Sequence, residues 1–433
     1  MRYPAYIEAD YDFPEFYKIQ VSYPRPRIDD VPAAVGVAMA DALPASGIAA
    51  GQTVAVAVGS RGIANLALMV KTVCRHLKAV GAKPFILPAM GSHGGATAEG
   101  QQKLLAGLGV SRETCGCPVR SSMDTDQIGT VFDSVPVFFA TDALAADHSI
   151  CLNRIKSHTK FRADVESGLL KMLCIGMGKN QGALSYHRWA LKHGFSNLLK
   201  ILGKATAKQS NFRFGLGIVE NAYDETMRIA AVPADDILTH EKSLMDLARN
   251  QFPTLPVGDL DTLVVQQIGK EISGAGMDPN VTGRAFDLKE DDFSGILKVG
   301  RLAVLNLSRH TSGNGIGLGL ADIITEKVFR DLDYEATLIN ALTSVSLRKA
   351  FIPVRLPDDR KAIQACFTTL GPLDRRQIRA AIIRDTMHVT DFWASRSLAE
   401  EIRGNERATV GEKAPLRFDP DGNLMLPGWP VLK

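Results

Sequence analysis

The stretch from Thr53 to Gly109 constrains this chain more than any other part of it. TVAVAV (Thr53 to Val58) is an apolar run of strand length without alternation, the pattern of a strand covered on both faces. GSRG breaks the run. From Ile63 to Val80 apolar residues then recur at helical spacing: Ile63, Leu66, Ala67, Val70, Val73, Cys74 and Leu77. GAKP stops that helix, FILP opens a second strand, GSHGG forms a second loop, and Thr97 can cap a helix running to Leu108. Strand, helix, strand, helix with short connections implies parallel strands joined by right-handed crossovers.

A chain of 433 residues is too long for one core, so two domains are expected. VPVFFA and HSICLN read as further strands, and SGLLKMLCIGMG is a glycine-containing apolar segment. QFPTLPVGD (251–259) has two prolines and suits a linker, after which TLVVQQI and LAVLNLS return to buried-type strands. The expected class is α/β: two domains with mostly parallel sheets flanked by helices and an active site in the cleft between them. The expected division is 1–255, 260–400, and a tail, 401–433, that could pack back on the N-terminal domain.

Composition narrows the function. Fifty basic against 47 acidic side chains leave a net charge of +3, no footprint for nucleic acid. No apolar run approaches the roughly 18 residues of a membrane span. MRYPAYIEADYDFPEF lacks the layout of a signal peptide. Six scattered cysteines do not form a disulfide framework, and Cys115-x-Cys117 alone is a weak metal motif. A cytoplasmic location is expected.

Open parallel sheets bind ligands beyond the carboxyl ends of their strands. The loops there carry Ser60 and Arg61, then Gly91-Ser92-His93-Gly94, then Asn153, Arg154, Lys156 and His158. Later loops carry Gln267 and Lys270, then Arg309 to Gly315. Several are basic or hold histidine, which points to an anionic ligand and proton transfer. Each residue has a bland alternative. His93 could simply bond backbone at a helix entry, His158 could sit in a solvated basic loop, and His187 could lie on a surface helix. Lys171 falls inside the apolar run LLKMLCIG, where a lysine is costly to bury unless paired or used; snorkelling is its alternative. GNGIGLGL (Gly313 to Leu320) lacks the spacing of a phosphate loop and reads better as a tight turn.

As a set, these loops resemble the lactate racemase family, hydroxyacid racemases that use a nickel-pincer nucleotide. The resemblance rests on Gly91-Ser92-His93, Ile155-Lys156-Ser157-His158, Ser167-Gly168-Leu169-Leu170-Lys171, His187, and Gln267 with Lys270. It implies a cofactor, Ni(II) pyridinium-3,5-bisthiocarboxylic acid mononucleotide, tethered by Lys171, with His187 on the nickel and Arg61 with Ser60 on the phosphate. It implies His93 and His158 as two acid/bases, with Lys270 and Gln267 holding the carboxylate of a 2-hydroxy acid. Enzymes of cofactor synthesis would be needed for maturation. The implied activity is racemisation or epimerisation by reversible hydride transfer.

Glycine at 94, serine at 157 and Leu169-Leu170 depart from the lactate-specific pattern, and Lys171 lies thirteen residues (171 − 158) beyond His158. A larger or more polar acid than lactate, such as a sugar acid, is therefore expected. Two other readings stay open: a zinc-dependent hydrolase using the same histidines, and a non-catalytic small-molecule-binding α/β protein.

Overall fold

The computed structural model describes residues 2–60, 62–285, 293 and 295–433, in two compact units. One comprises 24–252; the other combines 1–23 with 253–433.

The 24–252 unit is built on a five-stranded sheet ordered Lys83–Pro88, Thr53–Val58, His148–Arg154, Phe212–Glu220, Thr226–Pro233. The first four strands are parallel and the last is antiparallel. Alternating side chains of the TVAVAV strand enter different layers. Val54, Val56 and Val58 pack with Val35, Met39, Met69, Val70, Val73 and Leu77, from the helices Val31–Ser46 and Leu66–Ala79. Ala55 and Ala57 face the opposite layer, which includes Leu169, Leu170, Leu173 and Leu199. Both faces are therefore covered, which is why the strand is uniformly apolar.

The two faces differ in bulk, and that difference positions the site. The side lined by Ala55, Ala57 and Cys151 also carries Gly215, where a Cβ would stand 2.8 Å from Leu169. Small residues there let the backbone that carries Lys171 lie close against the sheet. VPVFFA is a strand, as its sequence indicates, but it pairs with Thr125–Val131 in a separate two-stranded ribbon.

The other unit holds an eight-stranded sheet ordered Val354–Leu356, Ile323–Thr325, Val299–Val304, Leu260–Val265, Ala380–Ile383, Asp391–Ser395, Phe16–Val21, Ala408–Ala414. Its first five strands are parallel; the last three join antiparallel. Here the structure departs from the expected division of the chain. Residues 1–23 leave the N-terminal unit because the Phe16–Val21 strand pairs with Asp391–Ser395 on one side and Ala408–Ala414 on the other. The tail packs on this same unit, with Leu424, Leu426 and Trp429 buried alongside Phe16, Ile382 and Trp393. GNGIGLGL is a close-packed turn: Gly317, at φ +102°, would place a Cβ 2.2 Å from the Ala275 carbonyl oxygen. Among the described residues no helix is long and apolar enough to cross a membrane.

Candidate active site

Ser60, His93 and His158 each follow the carboxyl end of a parallel strand of the 24–252 unit, so the sheet delivers them to one edge. The Ser60 hydroxyl is hydrogen-bonded to His93 Nδ1. The loop before His93 is fixed from beneath by Gln101, fully buried, whose amide donates to the carbonyls of Met90, Gly91 (3.1 Å) and His93 (3.4 Å). Lys179, also fully buried, donates to the Pro88 carbonyl and to Gln101 Oε1 (3.3 Å); burial pushes its pKa down to about 8.

His158 lies on a loop closed at its ends by paired backbone hydrogen bonds between Lys156 and Ser167 (2.9 and 3.2 Å). Glu166, completely buried, holds the loop from within. Its carboxylate accepts from the His158 amide (2.5 Å), the Ala163 amide (3.0 Å) and Arg249 Nη2 (2.6 Å). His158 Nδ1 accepts from the Lys160 amide at 3.0 Å, which leaves the proton of the neutral ring on Nε2. Arg249→Met would strand Glu166 in the core. The expected cost is about 3 kcal/mol of unfolding free energy in urea titration, because one half of a buried pair remains uncompensated. A cost under about 1 kcal/mol would show that Glu166 simply takes up a proton.

Lys171 ends a short helical turn, Leu169–Lys171, that runs through π-helical Met172–Gly176 into the helix Lys179–His193. Departures to π geometry recur at functional sites. Lys171 itself is half-buried, whereas Lys179 is completely enclosed. His187 is on the following helix. Burial, and then the ammonium groups of Lys160 and Lys171, hold its pKa down at about 4. The ring is thus neutral at physiological pH, and its buried Nδ1 has no hydrogen-bond partner among the described residues.

Aromatic contacts link the two histidine segments. His158 stacks on Phe161 (4.6 Å), Phe161 on Phe195 (5.8 Å), and Phe195 lies 6.4 Å from His187; Lys160 sits over the Phe195 ring at 4.7 Å. The loops of Ser60 and His93 reach the same segment. A Cβ on Gly59 would stand 3.0 Å from Met172, and one on Gly91 would stand 2.9 Å from the Cβ of Ala183. One unit therefore assembles Ser60, His93, His158, Lys171 and His187. Arg61 lies outside the described residues.

Gln267 and Lys270 belong to the other unit, after its Leu260–Val265 strand. Gln267 donates to Asp385 (3.3 Å), and the Lys270 amide donates to Thr311 Oγ1 (3.2 Å). Asp385 is buried and also binds His388 Nδ1 at 2.7 Å, an oriented carboxylate–imidazole pair that sequence reading passed over. Its signal was available: RDTMH follows a strand-like AAII run, and the structure places Asp385 just beyond the Ala380–Ile383 strand. Glu166, Glu241 and Arg249 were also missed. Nothing local marks the contacts that matter: Glu241 meets the Leu170 amide 71 residues away, and Arg249 meets Glu166 across 83 residues.

Among the described residues no three His, Cys, Asp or Glu side chains group closely enough to hold a metal ion. A zinc centre ligated directly by His93, His158 and His187 is therefore not built here, and Cys115-x-Cys117 forms no such group. His187, its buried Nδ1 without a partner among the described residues, is a single imidazole that could ligate a metal whose other ligands come from a bound group.

Comparison with solved structures finds the lactate racemase apoprotein from Thermoanaerobacterium thermosaccharolyticum. It is 15% identical, over 86% of this chain and 99% of that one, with a TM-score of 0.51. The chain has the fold of lactate racemase. A Thermotoga maritima protein from structural genomics is similar at 13% identity, over 85% and 99% of the two chains, with a TM-score of 0.50. No family model matches the sequence, and no curated protein does. At these identities the likeness to lactate racemase is one of fold.

Proposed function

We propose that this protein is a racemase or epimerase of a 2-hydroxy acid larger or more polar than lactate, a sugar acid for example, loaded with a nickel-pincer nucleotide. The observation that carries the reading is a buried His187 Nδ1 without a partner among the described residues, on the helix that follows the Lys171 turn. Lys171 would tether the group through its amine, His187 would bind the nickel, and Arg61 with Ser60 would hold the phosphate. Bound there, the group would supply a reversible acceptor for the substrate Cα hydride.

The chain's own residues would do the rest. His93 would take the hydroxyl proton, and Ser60, able to donate or accept at Nδ1, would let its imidazole switch tautomer. His158 would present Nε2–H to a substrate oxygen, because its Nδ1 is engaged by the Lys160 amide. Holding a carboxylate is the role the resemblance implies for Lys270 and Gln267. Lys160 and Lys171 make the surroundings of His187 cationic, which suits an anionic ligand.

The test is co-expression with the cofactor-synthesis enzymes, followed by a panel of 2-hydroxy acids in deuterated water. The expected result is inversion with the original Cα hydrogen retained. Complete deuterium incorporation at Cα would replace hydride transfer with carbanion chemistry and overturn the proposal.

A further inference from the structure

The turn that carries Lys171 is held by a residue that has no part in the reading above. Glu241, on the helix Ile237–Gln251, is completely buried. Its Oε2 accepts from the Leu170 amide at 2.7 Å. Its Oε1 is buried without a partner among the described residues and lies over Gly168, where a Cβ would come within 2.2 Å of it. Gly168 has an extended backbone, φ −173°, so glycine is needed there for space. Asn153, in the His148–Arg154 strand, holds the Gly168 carbonyl from the other side at 2.8 Å.

We propose that Glu241 is the positioning residue of the cofactor attachment site: its carboxyl caps the turn beginning at Gly168 and fixes where the Lys171 amine stands. The inference rests on the proposed function. Two features separate it from ordinary core filling. A completely buried carboxyl lying against Gly168 and Leu170 is costly where an apolar side chain would pack, and only an acceptor can satisfy a leading amide of so short a turn. The same helix supports the neighbouring site loop, since Arg249, eight residues on, holds Glu166 and through it the His158 amide.

The experiment compares Glu241→Gln, which keeps an acceptor, with Glu241→Met, which fills the space without one. In the apoprotein, amide hydrogen exchange at Leu170 should stay slow in the Gln variant and accelerate at least about tenfold in the Met variant. After co-expression, intact mass should show the Lys171 adduct at near wild-type occupancy with Gln and about tenfold lower with Met. Residual inversion in the Met variant should lose kcat with KM unchanged. If the Met variant does not fold, Gly168→Ala displaces the same carboxyl from outside the helix and should give the same two losses. Wild-type exchange and wild-type loading in a folded variant would overturn the proposal. Failure of the functional reading looks different: the wild-type protein itself would acquire no adduct, while the exchange data would still report whether Glu241 holds the turn.

Discussion

Lys171→Ala is expected to leave a folded protein that retains no cofactor through denaturing chromatography and loses about 10³-fold or more of its inversion rate, as removal of a covalent participant does. Lys171→Arg separates chemistry from charge. It keeps a cation beside His187 but offers no amine to acylate, so it should be equally empty of adduct and equally inactive. Urea unfolding of both variants should match wild type to within about 1 kcal/mol, because Lys171 is only half-buried. Full activity in either variant, with the adduct mass still present, would place the tether on another residue and remove the central assignment.

The second large effect is on stability against pH. Burial raises the Glu241 pKa from 4.5 to about 8, against the pull of the Leu170 and Leu169 amides. Below about pH 4.5 the folded and unfolded chains both carry the proton, and burial of the neutral carboxyl has no ionisation cost. Between 4.5 and 8 the folded state keeps a proton that the unfolded chain releases, so stability falls as pH rises. Above about 8 the whole cost of a buried carboxylate remains, roughly 5 kcal/mol at 1.36 kcal/mol per unit. Glu241→Gln removes the titration. The difference in unfolding free energy between the Gln variant and wild type should therefore grow in favour of Gln from pH 5 to pH 8. A constant difference across that range would mean that Glu241 ionises normally. Lys179 acts in the next window with opposite sign. Its folded pKa of about 8 lies below the ordinary 10.5, so its contribution rises with pH between those values.

The carboxyl-edge loops were legible in the sequence because a parallel strand announces its own end. TVAVAV stops at GSRG, FILP at GSHGG, and HSICLN at a run of cations, so Ser60, His93 and His158 could be collected without coordinates. The lysine in LLKMLCIG was marked by its cost. That signal was incomplete, because Lys179 is more fully enclosed than Lys171 and lies in a stretch that looks no more apolar than its surroundings. Whether an ammonium reaches water depends on what covers it, and local sequence does not contain that information. The Leu169-Leu170 pair shows the same limit. It read as a departure from a small-residue pattern, but the structure makes room for it elsewhere, at Gly215 beside Leu169 and at Gly203 beside Leu170.

The sequence alone determined the strands at TVAVAV, FILP, VPVFFA, HSICLN, TLVVQQI and LAVLNLS and the helices after the first two, that TVAVAV is buried on both faces, and which loops follow the carboxyl ends of those strands. Those follow from periodicity and turn chemistry within windows of about ten to twenty residues. Tertiary structure decided the rest. It carried residues 1–23 across to the C-terminal unit, left His187 neutral beside two ammonium groups, and set Glu241 and Arg249 under loops more than seventy residues away in sequence. A strand edge, a desolvated ring and a buried carboxyl each acquire their properties from neighbours, and only folding selects those neighbours.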